Sequence, residues 1–288
     1  MMAAGGTSMR YDPTAQALFH PEAAPPLFGS DLKWTLDATC AELSRLAYIR
    51  HEDGDGARLD AALALGGFGP AAPFHDPELD AQGFGTLASD GTRFLAYRGT
   101  QADRLKDLVS DLRFWGSRWS GPGRVHNGFL RAEQALAAAV DAWLARGPRG
   151  PLVVTGHSLG AGMATISAAR LAGATLITFG SPRVGDAAFR AVLAGRTVRR
   201  YVDCCDVVAT VPPAIGYGHV GTECYIDRAG RVLPEPPGLL ARNRDKWAGR
   251  GAYVARCFGR KGNVPLRALA DHAPVNYISG VLGVRAGP

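Results

Sequence analysis

The chain has 288 residues, 47% apolar and 20% charged, enough to bury one sizeable core, and α/β domains of this length commonly stay undivided. No apolar run approaches the roughly 18 residues of a membrane span, and Met1 to Gly29 lacks both a basic n-region and a continuous apolar h-region, so neither a spanning segment nor a standard secretory signal is expected. The net charge of +6 is carried by Arg far more than Lys, and no nucleic-acid-binding motif accompanies it, which argues against a nucleic-acid partner.

Residues 1–29 are rich in Ala, Gly and Pro, show no sustained period, and read as an irregular arm preceding a single domain over 30–288. Core structure is expected from near Trp34. Asp37 to Arg50 reads as a helix with Cys40, Leu43, Ala47 and Tyr48 along one side, and the Gly/Pro-rich stretch from Gly54 to Pro77 gives no clear pattern. Asp53 and Asp55 hint at a calcium loop, but Ala64 stands where an EF-hand needs its bidentate Glu, so a surface turn is the better reading. Phe84 to Ala88 and Thr92 to Tyr97 flank Asp90-Gly91 and predict a β-hairpin leading to Arg98-Gly99-Thr100.

Beyond it Leu105, Leu108, Val109 and Leu112 recur at helical spacing, followed by Phe114, Trp115 and Trp119. They form either a lid or acyl-chain wall or an ordinary helix packed on the core, because periodicity does not separate a permanently buried face from one exposed at a lipid surface. Asn127 to Arg146 is an Ala-rich helix stopped at Gly147-Pro148. Leu152 to Thr155, Thr175 to Phe179 and Thr197 to Val202 read as strands, with helices after Ser158 and over Asp186 to Leu193. Glu223 to Asp227 and Arg231 to Leu233 read as a peripheral hairpin around Arg228-Ala229-Gly230. The alternation predicts an α/β fold with a mostly parallel central sheet flanked by helices. From Arg242 to Arg267 eight basic residues face one acid, Asp245, which makes either a solvated helix face or a surface for anionic lipid headgroups. Five cysteines, an odd number with no C-x-x-C spacing, suit reduced structural thiols, and the cytoplasm is the expected compartment, with signal-independent secretion as the alternative.

Gly156-His157-Ser158-Leu159-Gly160 lies between an apolar run and a small-residue helical stretch. A serine nucleophile must project from a sharp strand-to-helix turn, which glycines two residues either side make room for. In an α/β-hydrolase the acid and then the histidine follow the serine, leaving His219 and His272 as candidate bases; chain order favours His272, with His219 a loop histidine satisfied by backbone groups. Asp203 and Asp206 both follow the strand ending at Val202, where ligands gather in open parallel sheets. Asp206 is preferred because a few residues of loop are needed to turn its carboxylate. The N–H of Leu159 is one expected oxyanion donor, and Thr100 offers a second unless Gly99-Thr100 is only a turn.

These residues coincide with a pattern spread along the chain. Tyr97-Arg98-Gly99-Thr100, Asp107 to Leu112, Val125-His126-Asn127-Gly128-Phe129, the Ser158 pentapeptide and Thr178 to Gly185 resemble segments of the class 3 lipases, the fungal triacylglycerol-lipase type of α/β-hydrolase. Asp206-Val207-Val208 before Pro212-Pro213 resembles the segment carrying the family's acid, Gly218 to Glu223 a loop whose histidine is not the base, and Asp271-His272 the terminal pair that carries it. The resemblance implies a Ser158–His272–Asp206 triad, an oxyanion hole from Thr100 and Leu159, an acyl-enzyme, and no metal or organic cofactor. The implied substrate is an acylglycerol, with phospholipids or short soluble esters as alternatives and a non-catalytic hydrolase-fold binding protein as the rival of another class. Transient contact with an anionic lipid surface is the further partner expected; the oligomeric state is left open.

Overall fold

Val153, Val154, Leu176, Ile177 and Val198 belong to short apolar runs of the kind that form strands covered on both faces. In a computed structural model, which describes residues 9–99 and 116–287, seven strands build one sheet. They are β1 (Ala72–Asp76), β2 (Ala81–Leu87), β3 (Arg93–Tyr97), β4 (Leu152–His157), β5 (Thr175–Phe179), β6 (Val198–Asp203) and β7 (Thr222–Ile226). The spatial order is β7-β6-β5-β4-β3-β2-β1. The pairs from β3 to β7 are parallel, and β1-β2-β3 is an antiparallel extension turning at Asp90-Gly91. This is the α/β-hydrolase arrangement of a mixed, mostly parallel sheet flanked by helices.

Period-two alternation divides the core. Leu95, Val154 and Leu176 face Phe129, Leu136, Met163 and Ile166 of two helices, Asn127–Arg146 and Leu159–Arg170. Phe94, Val153 and Ile177 face the other way, onto Leu43 and Leu46 of the helix Leu36–Leu46 and onto Tyr277 and Ile278 of Pro274–Val281. The sheet thus carries β4 in its middle, with its C-terminal end free to present Ser158.

Two expectations need correction, and two stretches left open take definite form. The arm expected over residues 1–29 is, from Met9 on, built into the fold: Met9–Arg10 pairs in parallel with Arg285–Ala286, and Thr14 caps a short helix, Ala15–Phe19. Arg45, itself paired with Glu42, donates to the carbonyls of Pro21, Ala24 and Pro25, fixing a Pro-rich stretch that has no hydrogen-bond ladder of its own. The Gly/Pro-rich stretch from Gly54 to Pro77 holds a helix, Gly56–Leu65, and β1. Thr222–Ile226 is an edge strand of the main sheet, and only an isolated bridge, Ile226 to Val232, remains of the expected hairpin. The basic segment, as its helix-face reading expects, is helical as far as Arg256, within the 18-residue helix Leu239–Arg256. No helix among the described residues is long and apolar enough to cross a membrane.

Candidate active site

The chain leaves β4 and turns at Ser158, whose φ of 59° and ψ of −126° lie where side chains are rarely found, before entering the helix Leu159–Arg170. The flanking glycines are required by contact: a Cβ on Gly156 would overlap the carbonyl of Gly160, and one on Gly160 would overlap the carbonyl of Tyr97. The turn is therefore packed directly against the end of β3.

Ser158 Oγ lies 2.9 Å from His272 Nε2, and His272 Nδ1 lies 2.9 Å from Asp206 Oδ2. All three residues are buried. Asp206 sits in the turn after β6, where its N–H donates to Asp203 O and its Oδ1 accepts from Val208 N at 2.8 Å. Oδ2 takes a second hydrogen bond, from the Tyr277 hydroxyl at 2.6 Å. Burial by itself raises the Asp206 pKa, but His272 beside it and the hydrogen bonds from His272 and Tyr277 hold the carboxyl below its ordinary range. An ionised Asp206 accepts from Nδ1–H, which leaves Nε2 as the acceptor for the serine proton.

His272 is held from behind through its own carbonyl and through its neighbours His157 and Asp271. His157 Nε2 donates to the His272 carbonyl at 2.7 Å, so its Nδ1 is the acceptor for the Tyr48 hydroxyl at 2.8 Å. Burial, with His272 adjacent, keeps the His157 pKa well below the usual value, and the ring stays neutral. The preceding residue, Asp271, accepts from Tyr11 OH at 2.6 Å, Cys205 N at 2.9 Å and Arg267 Nε at 3.1 Å. It ties the loop carrying His272 to the turn carrying Asp206.

The competing candidates lie elsewhere. His219 donates from Nε2 to Ala209 O at 2.9 Å, and burial followed by nearby arginines pushes its pKa down to about 3. Asp203 forms a two-point pair with Arg285, with Nη2 to Oδ1 at 3.0 Å, in the sealed interior. Of the expected oxyanion donors, the Leu159 N–H heads the helix directly after Ser158. Thr100 lies outside the described residues, as do Leu105, Leu108, Val109, Leu112, Phe114 and Trp115; the last described residue before them, Gly99, would place a Cβ 3.1 Å from Ser158 Cβ. Trp119, expected at the end of a lid or acyl wall, packs edge-on against Phe189 with centroids 5.3 Å apart and donates to Pro122 O.

Sequence reasoning missed Tyr277, Tyr48, Tyr11 and Arg285, since no motif marks a residue that acts through contacts more than 70 positions away. Two clusters of potential metal ligands occur among the described residues, Cys204/Cys205/Asp271 and Glu52/His75/Asp80. Neither suits a cation: the Asp271 oxygens are taken by Tyr11, Cys205 N and Arg267, and Asp80 pairs with Arg98.

Comparison with known proteins places this geometry in context. Residues 94–216 match the class 3 lipase family model. The chain is 32% identical over 207 residues to secreted mono- and diacylglycerol lipase 1 of Fusarium solani, covering 62% of each. It is 34% identical to a Rhizomucor miehei lipase, over 48% of this chain and 42% of that one, and 34% identical to phospholipase A1-II 4 of Oryza sativa subsp. japonica, over 43% and 34%. It thus spans about a third to three fifths of the length of these curated relatives. The solved Rhizomucor miehei triacylglyceride lipase superposes with a TM-score of 0.53 at 26% identity, over 66% of this chain and 77% of that one. The cytoplasmic location expected from the sequence is overturned here, because the Fusarium solani relative is secreted and points to an extracellular location. The thiols misled that reading: four of the five cysteines are buried, and a thiol sealed in a core stays reduced in either compartment.

Proposed function

We propose, from the match of residues 94–216 to the class 3 lipase family model, that the chain is a member of that family and hydrolyses carboxylic esters, acylglycerols first among them, through a Ser158 acyl-enzyme. The observation that carries the reading is the unbroken row of two 2.9 Å contacts from Ser158 Oγ through His272 to Asp206. His272 Nε2 takes the serine proton as Oγ attacks the ester carbonyl, and the imidazolium then protonates the departing alcohol. The Leu159 N–H, together with Thr100, stabilises the oxyanion, and Asp206 holds the imidazole in the required tautomer. Water activated by the same imidazole releases the fatty acid and restores the serine. Gln101 to Trp119 is read as the lid or acyl-chain wall, and the substrate is met at a lipid surface that includes anionic headgroups.

A fluorophosphonate probe is expected to label the wild type and leave Ser158→Ala unmarked; equal labelling of both excludes Ser158 as the nucleophile. A p-nitrophenyl ester series from acetate to palmitate separates a lipase, whose rate rises with chain length and beyond the substrate's solubility limit, from a short-chain esterase, whose rate falls.

A further inference from the structure

The helix Leu239–Arg256 touches the rest of the molecule along a narrow line. Gly249 and Tyr253 are its buried residues, the Gly249 carbonyl accepting from Arg267 and the Tyr253 hydroxyl donating to the Val264 carbonyl. A helix held this way normally turns polar residues outward. This one does the reverse: Leu240 is 81% exposed, Trp247 71% and Val254 62%. At 100° per residue these three fall within about 40° of one another and opposite the buried line, so they form one apolar crest. Phe258, just beyond the helix end, is exposed as well.

The charges are arranged around that crest. Arg244 and Arg250 lie about 60° to either side of it by the same helical geometry, and the Arg250 guanidinium sits 5.7 Å from the Trp247 ring centroid. The one acid of the helix, Asp245, is turned inward, where it accepts from Tyr225 OH and Arg228. Arg242 pairs with Glu223 and Arg267 with Asp271; among the described residues, Arg244, Lys246, Arg250, Arg256, Arg260 and Lys261 form no ion pair. Beside the crest runs a groove of about 910 Å³ lined by Leu233, Leu240, Arg244 and Trp247 and by the carboxylates of Asp227 and Asp245, which are paired with Arg231 and Arg228.

We infer that this helix is an interfacial anchor: Leu240, Trp247 and Val254 enter the acyl boundary of an anionic phospholipid surface while Arg244 and Arg250 meet its phosphates. An apolar ridge alone would suit another protein equally well. A ridge flanked on both sides by unpaired cations and cleared of acids matches a surface that is apolar within and anionic at its rim. The proposal rests on the lipid-ester reading for its choice of occupant, and on the helix alone for its geometry. Arg267 connects the two, since it bonds both the Gly249 carbonyl and Asp271, the neighbour of His272.

The test uses the full chain carrying Ser158→Ala, so that binding is measured without hydrolysis. Vesicles of phosphatidylcholine with and without phosphatidylglycerol are sedimented with this protein, with a Leu240→Ser/Trp247→Ser/Val254→Ser variant and with Arg244→Glu/Arg250→Glu, each checked for unchanged thermal unfolding. Strong sedimentation with the anionic vesicles is expected for the parent, a loss of about tenfold or more for the crest variant, and loss of the preference for phosphatidylglycerol for the arginine variant. Equal vesicle binding by parent and crest variant overturns the anchor. So does a parent dimer in solution that the crest variant dissolves, which would make the crest a contact between two copies. Should the wild type hydrolyse no ester, the hydrolase reading falls while the vesicle result still decides the anchor.

Discussion

Ser158 combines two demands that conflict. Its hydroxyl must stand clear of the sheet, and the backbone conformation that achieves this, with φ at 59°, costs a non-glycine residue about 1–3 kcal/mol. The fold tolerates that strain because β4 and the following helix over-determine the turn. Glycine adopts the conformation freely, so Ser158→Gly is expected to unfold at a higher temperature than Ser158→Ala, by about 1 kcal/mol in stability, with both inactive. The comparison with Ala cancels the lost hydroxyl. Equal melting temperatures in calorimetry would show that the turn is unstrained. At this scale the sequence was legible where chemistry dictates spacing: Ser158, Asp206 and His272 were grouped by chain order and motif, and they lie within hydrogen-bond distance. Tyr277 and Arg285 were not legible. The first reaches Asp206 across 71 positions and the second reaches Asp203 across 82, and a tyrosine in a helix or an arginine near a chain end carries no local mark of such a partner.

Elements were legible in proportion to how completely their own residues announce the core. The parallel strands β3 to β6 are short apolar runs and were placed closely. Gly56–Leu65 and β1 were hidden because the glycines and prolines around them signal turns, although Leu59, Ala62 and Leu63 stand at helical spacing. The helix Leu239–Arg256 was legible as a basic segment, a solvated helix face or a surface for anionic headgroups, while its apolar residues, pointing away from the core, were not. Its first half is pinned to β7 through Glu223, which accepts from Arg200 Nη2 at 2.9 Å and from Arg242. Burial raises the Glu223 pKa, and the two arginines outweigh it, leaving the carboxyl below its ordinary value of 4.5. A carboxyl depressed in the folded state lends stability above its unfolded pKa, and that contribution disappears as the pH falls through the folded value. Glu223→Gln is therefore expected to lower stability at pH 7 by about 1–2 kcal/mol, with the gap from wild type narrowing steadily below pH 4.5 in thermal melts. A gap independent of pH would assign the loss to packing.

Over the whole molecule, three histidines are kept neutral inside. Burial lowers His126 to about 4 and His219 to about 3, and holds His157 well below its usual value. Each takes up a proton when the chain unfolds below its ordinary pKa of 6.5, so the folded state loses stability as the pH falls from there. Asp203 acts in the opposite sense: burial raises its carboxyl to about 7 against the pull of Arg285, and unfolding releases its proton in the same range. The net expectation is an uptake of about two protons on unfolding near pH 5, measured as the slope of denaturant-derived stability against pH between 6 and 4.5; a flat profile would mean that these rings are solvated. The same interior gives the pairing of Met9–Arg10 with Arg285–Ala286 a meaning in time. The clamp on His272 needs Tyr11 from the beginning of the chain, and the partner of Asp203 is Arg285 from its end. During synthesis, a ribosome will have made Ser158, Asp206 and His272 before Arg285, the partner of Asp203, exists. The surroundings of the site are thus closed by pairs that span most of the sequence, Tyr11 with Asp271 and Arg285 with Asp203, and its geometry is complete only once both pairs have formed.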